Sequence, residues 1–385
     1  VTRQAGGSAR LQALERGNFF VVPLDEKRHW YRYHHLFADV LSVRLMAEQP
    51  EQVPSLHRLA SEWYEHHGLA PDAIRHALAA ADFVRAAGLL ERAWPEMRRR
   101  RQEATALAWL RVLPEEVLEC MPVLNVEYAH MLLDGGVVEG VEERLRAAEQ
   151  WLGPTADRRG GPHPDGKRPA DTMIVMNEEE FHRLPGRIAI ARTGLALGRG
   201  DVPGAVDFAE RARSLAPGDD PLTRGSAAAF LGLIAWTKGD LDDAHRLYAD
   251  GMASLQTAGN ISDAINGAVT LASIRIAQGR LRDAMRLYER GLELATGQGA
   301  PALRGAADMH VGTSELLRER NHLHAATQHL LRSQALGEHT AFRQFRYRWR
   351  VAMARLREAE GDLDGALDLL HEAERLYTAD FSPDV

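Results

Sequence analysis

The chain has 385 residues, 45% of them hydrophobic and 26% charged, with a formal net charge of −7. That hydrophobic share excludes wholesale disorder, and the length suits two or three domains or one extended repeat array. The acidic balance and the single cysteine, Cys120, argue against a nucleic-acid-binding chain, a disulfide framework and a cysteine-rich zinc site.

Strand signals are confined to the N-terminus. Phe19 to Leu24 is β-branched and aromatic, Asp25-Glu26-Lys27 can turn, and His29 to Tyr33 alternates. A lone hairpin is marginal in water, so it must lean on the helix expected next, from His34 to Met46. The chain begins on Val1 rather than Met, which fits a fragment or a frame opened by an alternative start codon. From there almost only helical periodicity follows. Pro54, Pro71 and Pro95 stand where they can open helices, and Gly68 closes one. Irregular helical repeats are expected over 51–152. Residues 153–186 turn to Gly, Pro and charge, and read as a loop or insertion. The longest apolar run, Ala227 to Trp236, is 10 residues, too short to span a membrane. With no secretory start either, a cytoplasmic location without membrane contact is expected.

Over 187–385 a turn recurs as Gly200-Asp201, Gly239-Asp240, Gly279-Arg280, Arg320-Asn321 and Gly361-Asp362. Five residues after each turn start stands an alanine: Ala205, Ala244, Ala284, Ala325 and Ala366. Seven before it stand Thr193, Gly232, Ala272, Thr313 and Ala354. Nine after it, Tyr248, Tyr288, His329 and Leu370 are larger, with Ala209 the exception. Small residues at such fixed offsets are what two antiparallel helices need where they cross, because anything larger overpacks. The expected fold is all-α: helical hairpins stacked into an α-solenoid.

The small–Gly–Ala spacing resembles tetratricopeptide repeats with a period near 40 rather than about 34. HEAT-type repeats share the longer period but fit the internal spacing less well. The runs Phe19-Phe20-Val21-Val22-Pro23-Leu24-Asp25, Trp30-Tyr31-Arg32-Tyr33-His34-His35-Leu36-Phe37, Trp63-Tyr64-Glu65-His66-His67-Gly68-Leu69 and Ala73-Ile74-Arg75-His76-Ala77-Leu78 are more specific. Together they resemble the MalT-like, large ATP-binding transcriptional regulators of the LuxR class. The resemblance implies a winged-helix remnant over 1–50 and a right-handed superhelix of tetratricopeptide-like hairpins over 187–385. It implies an effector-sensing and protein-interaction module. ATP hydrolysis and DNA contact do not carry over, because the ATPase and the DNA-reading domain are not in this chain. Gly161 to Lys167 spells a phosphate-loop pattern, but Arg168 replaces the required Ser or Thr and no strand precedes it. His34 resembles a winged-helix histidine that contacts nucleotide in these ATPases, here a vestige.

The tetratricopeptide register places Ser226, Trp236, Asn266, Ser273, His310, Ser314, Arg348 and Arg355 toward a concave groove. That mixture suits a small polar effector or an extended peptide. Leu367, Leu370 and Leu376 on the last helix point to a covering partner or a second copy, hence a scaffold or homo-oligomer as the alternative. A third reading is a histidine- or metal-assisted hydrolase, prompted by 17 histidines. Against it, there is no Gly-x-Ser-x-Gly, Ser-x-x-Lys or His-Glu-x-x-His motif. Cys120 lacks a base partner, and His322, His324 and His329 do not share one helical face. The run Arg98 to Arg101 reads as a solvated helix end. No cofactor, resident metal or catalytic residue is expected.

Overall fold

The computed structural model describes residues 6–17, 19–100, 102–153, 173–296, 305–337 and 344–379. The phosphate-loop look-alike, Arg101 and most of the expected Gly/Pro-rich loop lie outside the described residues. The chain divides into two compact units, one of residues 1–98, 102–124 and 160–177, the other of 99–101, 125–159 and 178–385. Among the described residues, no helix is long and apolar enough to cross a membrane.

The first unit opens with α1 (Gly7–Arg16) and the hairpin β1 (Val21–Pro23) and β2 (Tyr31–Tyr33), paired antiparallel with Val21 opposite Tyr33. The Asp25 carboxylate closes the hairpin by accepting the His29 and Trp30 amides, each at 2.9 Å. Helix α2 (His35–Glu48) follows, then α3 (Gln52–His66) and α4 (Ala70–Ala79). Trp30 lies edge-on to Trp63 of α3 at 5.5 Å, which is how the hairpin gains an apolar support. The unit continues with α5 (Phe83–Arg99), α6 (Glu103–Leu110) and α7 (Glu115–Leu118). Pro95 does not open a helix as its position suggested. It stands inside α5, where its missing N–H removes one rung of the ladder.

The second unit holds most of α8 (Pro122–Asp134), then α9 (Val141–Glu149) and ten further helices. They are α10 (Glu178–Gly198), α11 (Val202–Leu215), α12 (Pro221–Thr237), α13 (Leu241–Thr257), α14 (Ile261–Ala277), α15 (Leu281–Thr296), α16 (Ala306–Glu319), α17 (Leu323–Leu336), α18 (Phe345–Glu360) and α19 (Leu363–Ala379). Helix α10 starts inside the stretch expected as loop. Three glutamates, Glu178 to Glu180, favour its N-terminal turn, and Pro185 sits within it. The ten pack as five hairpins. Each helix contacts the next, and the first helices of neighbouring hairpins also touch, α10 with α12, α14 with α16 and α16 with α18. This is a tetratricopeptide-like solenoid.

Each hairpin turns through one residue in the left-handed region: Gly200, Gly239, Gly279, Asn321 and Gly361. The fourth turn corrects the expected register by one residue. Asn321, not Arg320, takes the positive φ of 59°, which asparagine tolerates better than most side chains. His322 becomes the helix cap, and Ala326, not Ala325, is the buried alanine. Counting back from Asn321, Ser314 rather than Thr313 occupies the crossing position. The same offsets govern α3 and α4, which turn at Gly68 and bury Ser61 and Ala73 completely. The Ser61 hydroxyl there donates to the Ala73 carbonyl at 2.8 Å. Tightness at these crossings is backbone against backbone. A Cβ on Gly232 would stand 2.7 Å from the Tyr248 nitrogen.

Candidate functional site

The first helices of the hairpins repeat two polar positions. Thirteen residues before each turn stand Arg187, Ser226, Asn266, Asp308 and Arg348, and six before stand Ser273, Glu315 and Arg355 in the last three hairpins. Side chains at offsets of seven lie on one helical face, so these positions form two rows of a polar ladder. One rung is closed across helices, where Arg355 of α18 donates to Glu315 of α16 at 2.7 Å.

Tyr288 of α15 joins the rows. Its ring is buried against Gly312 of α16, and a Cβ there would lie 2.5 Å from the phenol oxygen. Glycine at 312 therefore leaves room for the phenol, which hydrogen-bonds Ser273 of α14 and lies in the field of Asp308 and Glu315 of α16 and Arg348 of α18. Burial pushes the phenol up to about 12, Arg348 opposes that, Glu315 and Asp308 add to it, and a hydrogen bond with Ser273 opposes it. A neutral phenol thus sits among one hydroxyl, two carboxylates and a guanidinium. Tyr248 repeats the pattern one hairpin earlier: burial raises it, and Thr270 is its hydrogen-bond partner.

The expected residues divide on this geometry. Asn266 is exposed, Ser226 and Arg348 are half-buried, and Ser273 also donates to the Val269 carbonyl at 3.0 Å. Arg355 is committed to Glu315. Trp236 packs against the core around Ala244, Tyr248 and Leu271. Ser314 is buried, and its hydroxyl donates to the Val311 carbonyl at 2.7 Å, so it serves the helix crossing. His310 faces His329 of the paired helix, with Nδ1 atoms 2.9 Å apart. His34 begins α2 with its ring exposed and 4.4 Å from that of His35. Sequence reasoning missed Asp308, Glu315 and Tyr288. The first two were displaced by the one-residue error at Asn321, and the signal that finds them is the polar row counted from the corrected turn.

Among the described residues, no three His, Cys, Asp or Glu side chains converge as a metal site. Cys120 is buried. A cavity of about 190 Å³ lies between α9, α10 and α11, lined by Glu149, Arg192 and Arg211 over Leu152, Ile188 and Phe208. Another, of about 360 Å³, is lined by α11, α12 and α13, with Arg213, Lys238 and Arg246 at its rim. Neither is lined by any of the eight expected groove residues.

Comparison with known proteins is consistent with the repeat reading. The chain is 31% identical over 160 residues to the serine/threonine-protein kinase PknK of Mycobacterium tuberculosis. That match covers 40% of this chain and only 14% of the kinase. Among solved structures, a Rap protein complexed with competence and sporulation factor is 11% identical with a TM-score of 0.48, over 81% of this chain and 86% of that one. Aspartyl phosphate phosphatase F from Bacillus subtilis is 11% identical with a TM-score of 0.47, over 98% of this chain and 82% of that one. The MalT winged helix domain matches residues 1–53, and the MalT-like TPR region matches residues 186–384, more than half of the chain. The chain belongs to the MalT-like family, with a winged-helix segment followed by its tetratricopeptide-like region.

Proposed function

We propose that the second unit is the effector-sensing and protein-interaction region of a LuxR/MalT-type transcriptional regulator working in the cytoplasm. The polar ladder on its first helices is the receiving face. The observation that carries this reading is the Tyr288 phenol, packed against Gly312, hydrogen-bonded to Ser273 and held in the field of Asp308, Glu315 and Arg348. Those groups belong to α14, α15, α16 and α18, so a ligand bonded to them touches three hairpins at once. Such a ligand shifts the array only by binding one arrangement of the hairpins better than another. An extended peptide or a small polar molecule rich in hydroxyl or amide groups meets the donor and acceptor pattern.

The test is calorimetry and thermal-shift screening of metabolites and short peptides against the whole chain. A ligand at 100 times its Kd stabilises by about 2.7 kcal/mol. Tyr288→Phe and Asn266→Ala should each weaken a genuine ligand about fivefold, one lost hydrogen bond being on the order of 1 kcal/mol. Full affinity in both variants would remove the ladder from consideration.

A second reading, a protein-protein scaffold or homo-oligomer, is supported by α19, where Leu363, Leu367 and Leu370 are all exposed. Light scattering at high concentration tests it. Self-association abolished by Leu367→Glu would favour this reading, and a monomer throughout would discard it. The hydrolase reading draws on the histidines, and two of them, His310 and His329, hydrogen-bond each other.

A further inference from the structure

Two hairpins, one in each unit, carry the same pair of histidines at the same offsets. His57 lies eleven residues before the left-handed Gly68, and His76 eight after it. His310 and His329 stand at the same offsets from Asn321. At these positions three other hairpins place a small residue opposite a large apolar one, Ala189 with Phe208, Ala228 with Leu247 and Ala268 with Leu287, and the last has Arg350 with Leu369. Replacing such a pair by two part-buried imidazoles sacrifices apolar packing, and the rings answer it with one bond to each other. Their Nδ1 atoms stand 2.8 Å apart in the first pair and 2.9 Å in the second.

We propose that each pair is a two-histidine site for a divalent transition ion that accepts adjacent nitrogen ligands at a right angle, of the copper(II) or nickel(II) kind. With metal–nitrogen bonds of about 2.05 Å, nitrogens 2.8–2.9 Å apart subtend about 90°. A tetrahedral ion would need them about 3.3 Å apart, which disfavours zinc. Entry of the ion displaces the shared Nδ1 proton to Nε2 of the same ring, so both rings stay neutral and both Nδ1 lone pairs face the metal. Water fills the remaining positions. A bound ion would pin the first helix of the hairpin to the second.

The protonation state suits this chemistry. Burial, His57 and Arg75 lower His76, with Asp72 opposing. Burial, His329 and Arg332 lower His310 to about 4, and burial and Arg332 lower His329. His76, His310 and His329 are therefore unprotonated at neutral pH, as ligands must be. Tyr64 stacks on His76 at 5.3 Å and holds its ring plane. Arg75 is itself paired with Asp72 at 2.6 Å, whereas Arg332 faces its histidines with no carboxylate among the described residues acting on them. The pair at 57 and 76 should accordingly bind the dication more tightly.

The experiment uses the full chain stripped with a chelator and titrated at pH 7.5 with nickel chloride, copper sulfate and zinc chloride. Calorimetry gives the stoichiometry, and copper EPR gives the nitrogen count. Two equivalents are expected above any background, with copper tighter than nickel and nickel tighter than zinc. His76→Gln should remove the tighter equivalent, His310→Gln the weaker, and both substitutions together should remove both. His57→Gln and His329→Gln repeat the assay from the opposite ring in case either variant misfolds. His182→Gln, outside both pairs, should change nothing. Unaltered stoichiometry in the four pair variants would overturn the proposal, leaving the histidines as hydrogen-bond partners only.

Discussion

Helix α2 and the hairpin of α14 and α15 are both rich in apolar residues, yet only the hairpin buries them. In α2, Leu36, Val40, Leu41, Val43 and Met46 are exposed and no residue is buried. In the hairpin, Ile265, Val269, Ala272, Ala284 and Tyr288 are buried together. The difference lies in arrangement. The apolar residues of α2 are spread round its circumference, whereas Leu281, Ala284, Met285, Tyr288, Leu292 and Ala295 of α15 follow one stripe. That stripe meets a small residue, Ala272, where α14 crosses. Burial here follows from stripe plus small crossing residue, and apolar content alone does not deliver it.

The sharpest way to break the contrast is Arg187→Ala. Arg187 is 5% exposed and contacts Glu127 at 2.5 Å and also Glu180. Removing it strands a buried carboxylate and should cost about 3–5 kcal/mol in urea unfolding. Arg187→Met combined with Glu127→Leu should recover most of that loss, because two apolar residues replace the pair without leaving a charge. Leu36→Ser in α2 should stay within about 0.5 kcal/mol of the parent.

Gly232→Val comes next. Its Cβ would meet the Tyr248 nitrogen at 2.7 Å and the Ala244 carbonyl oxygen at 3.0 Å, and neither backbone atom can step aside. A loss of about 3 kcal/mol is expected, read as a lower melting temperature. The crossing was legible in the amino-acid sequence because small residues recur there at one spacing. The hairpin strands and α2 were legible for the same local reason. The fourth turn was not: an asparagine can stand in for glycine at positive φ, and Arg320 beside it blurs the signal. That single slip moved Ser314 into the groove on paper and hid Glu315 and Asp308. Tyr288 was read as a large residue behind the alanine. Its reach into the ladder depends on Gly312 in the next helix, a pairing across hairpins that no local pattern reports.

Acid should separate the histidine hairpins from those built on alanine and leucine or phenylalanine. Burial lowers His310 to about 4 from its ordinary 6.5, so between those values the unfolded chain binds more protons than the folded one. The stability contributed is complete above pH 6.5 and is lost as pH falls through that window. His329 and His76, also lowered, act in the same direction. Melting temperature should fall from pH 6.5 to 4, and His310→Gln should flatten the slope. An unchanged slope would mean that the carboxylates alone govern acid unfolding.

Arg355→Ala should have the smallest effect on folding and the most informative one on binding. The Arg355–Glu315 pair is half exposed, so its loss should cost under about 1 kcal/mol. Yet Glu315 acts on the Tyr288 phenol, and without Arg355 its charge is no longer balanced at 2.7 Å. A ligand on the ladder would then meet a more negative face, and an anionic one should bind several-fold more weakly while a cationic one gains. A melting temperature that hardly moves, beside an affinity that does, would place the ladder apart from the crossings. The crossings hold the hairpins together through backbone contact, whereas the half-exposed Arg355–Glu315 pair of the ladder adds little to that hold.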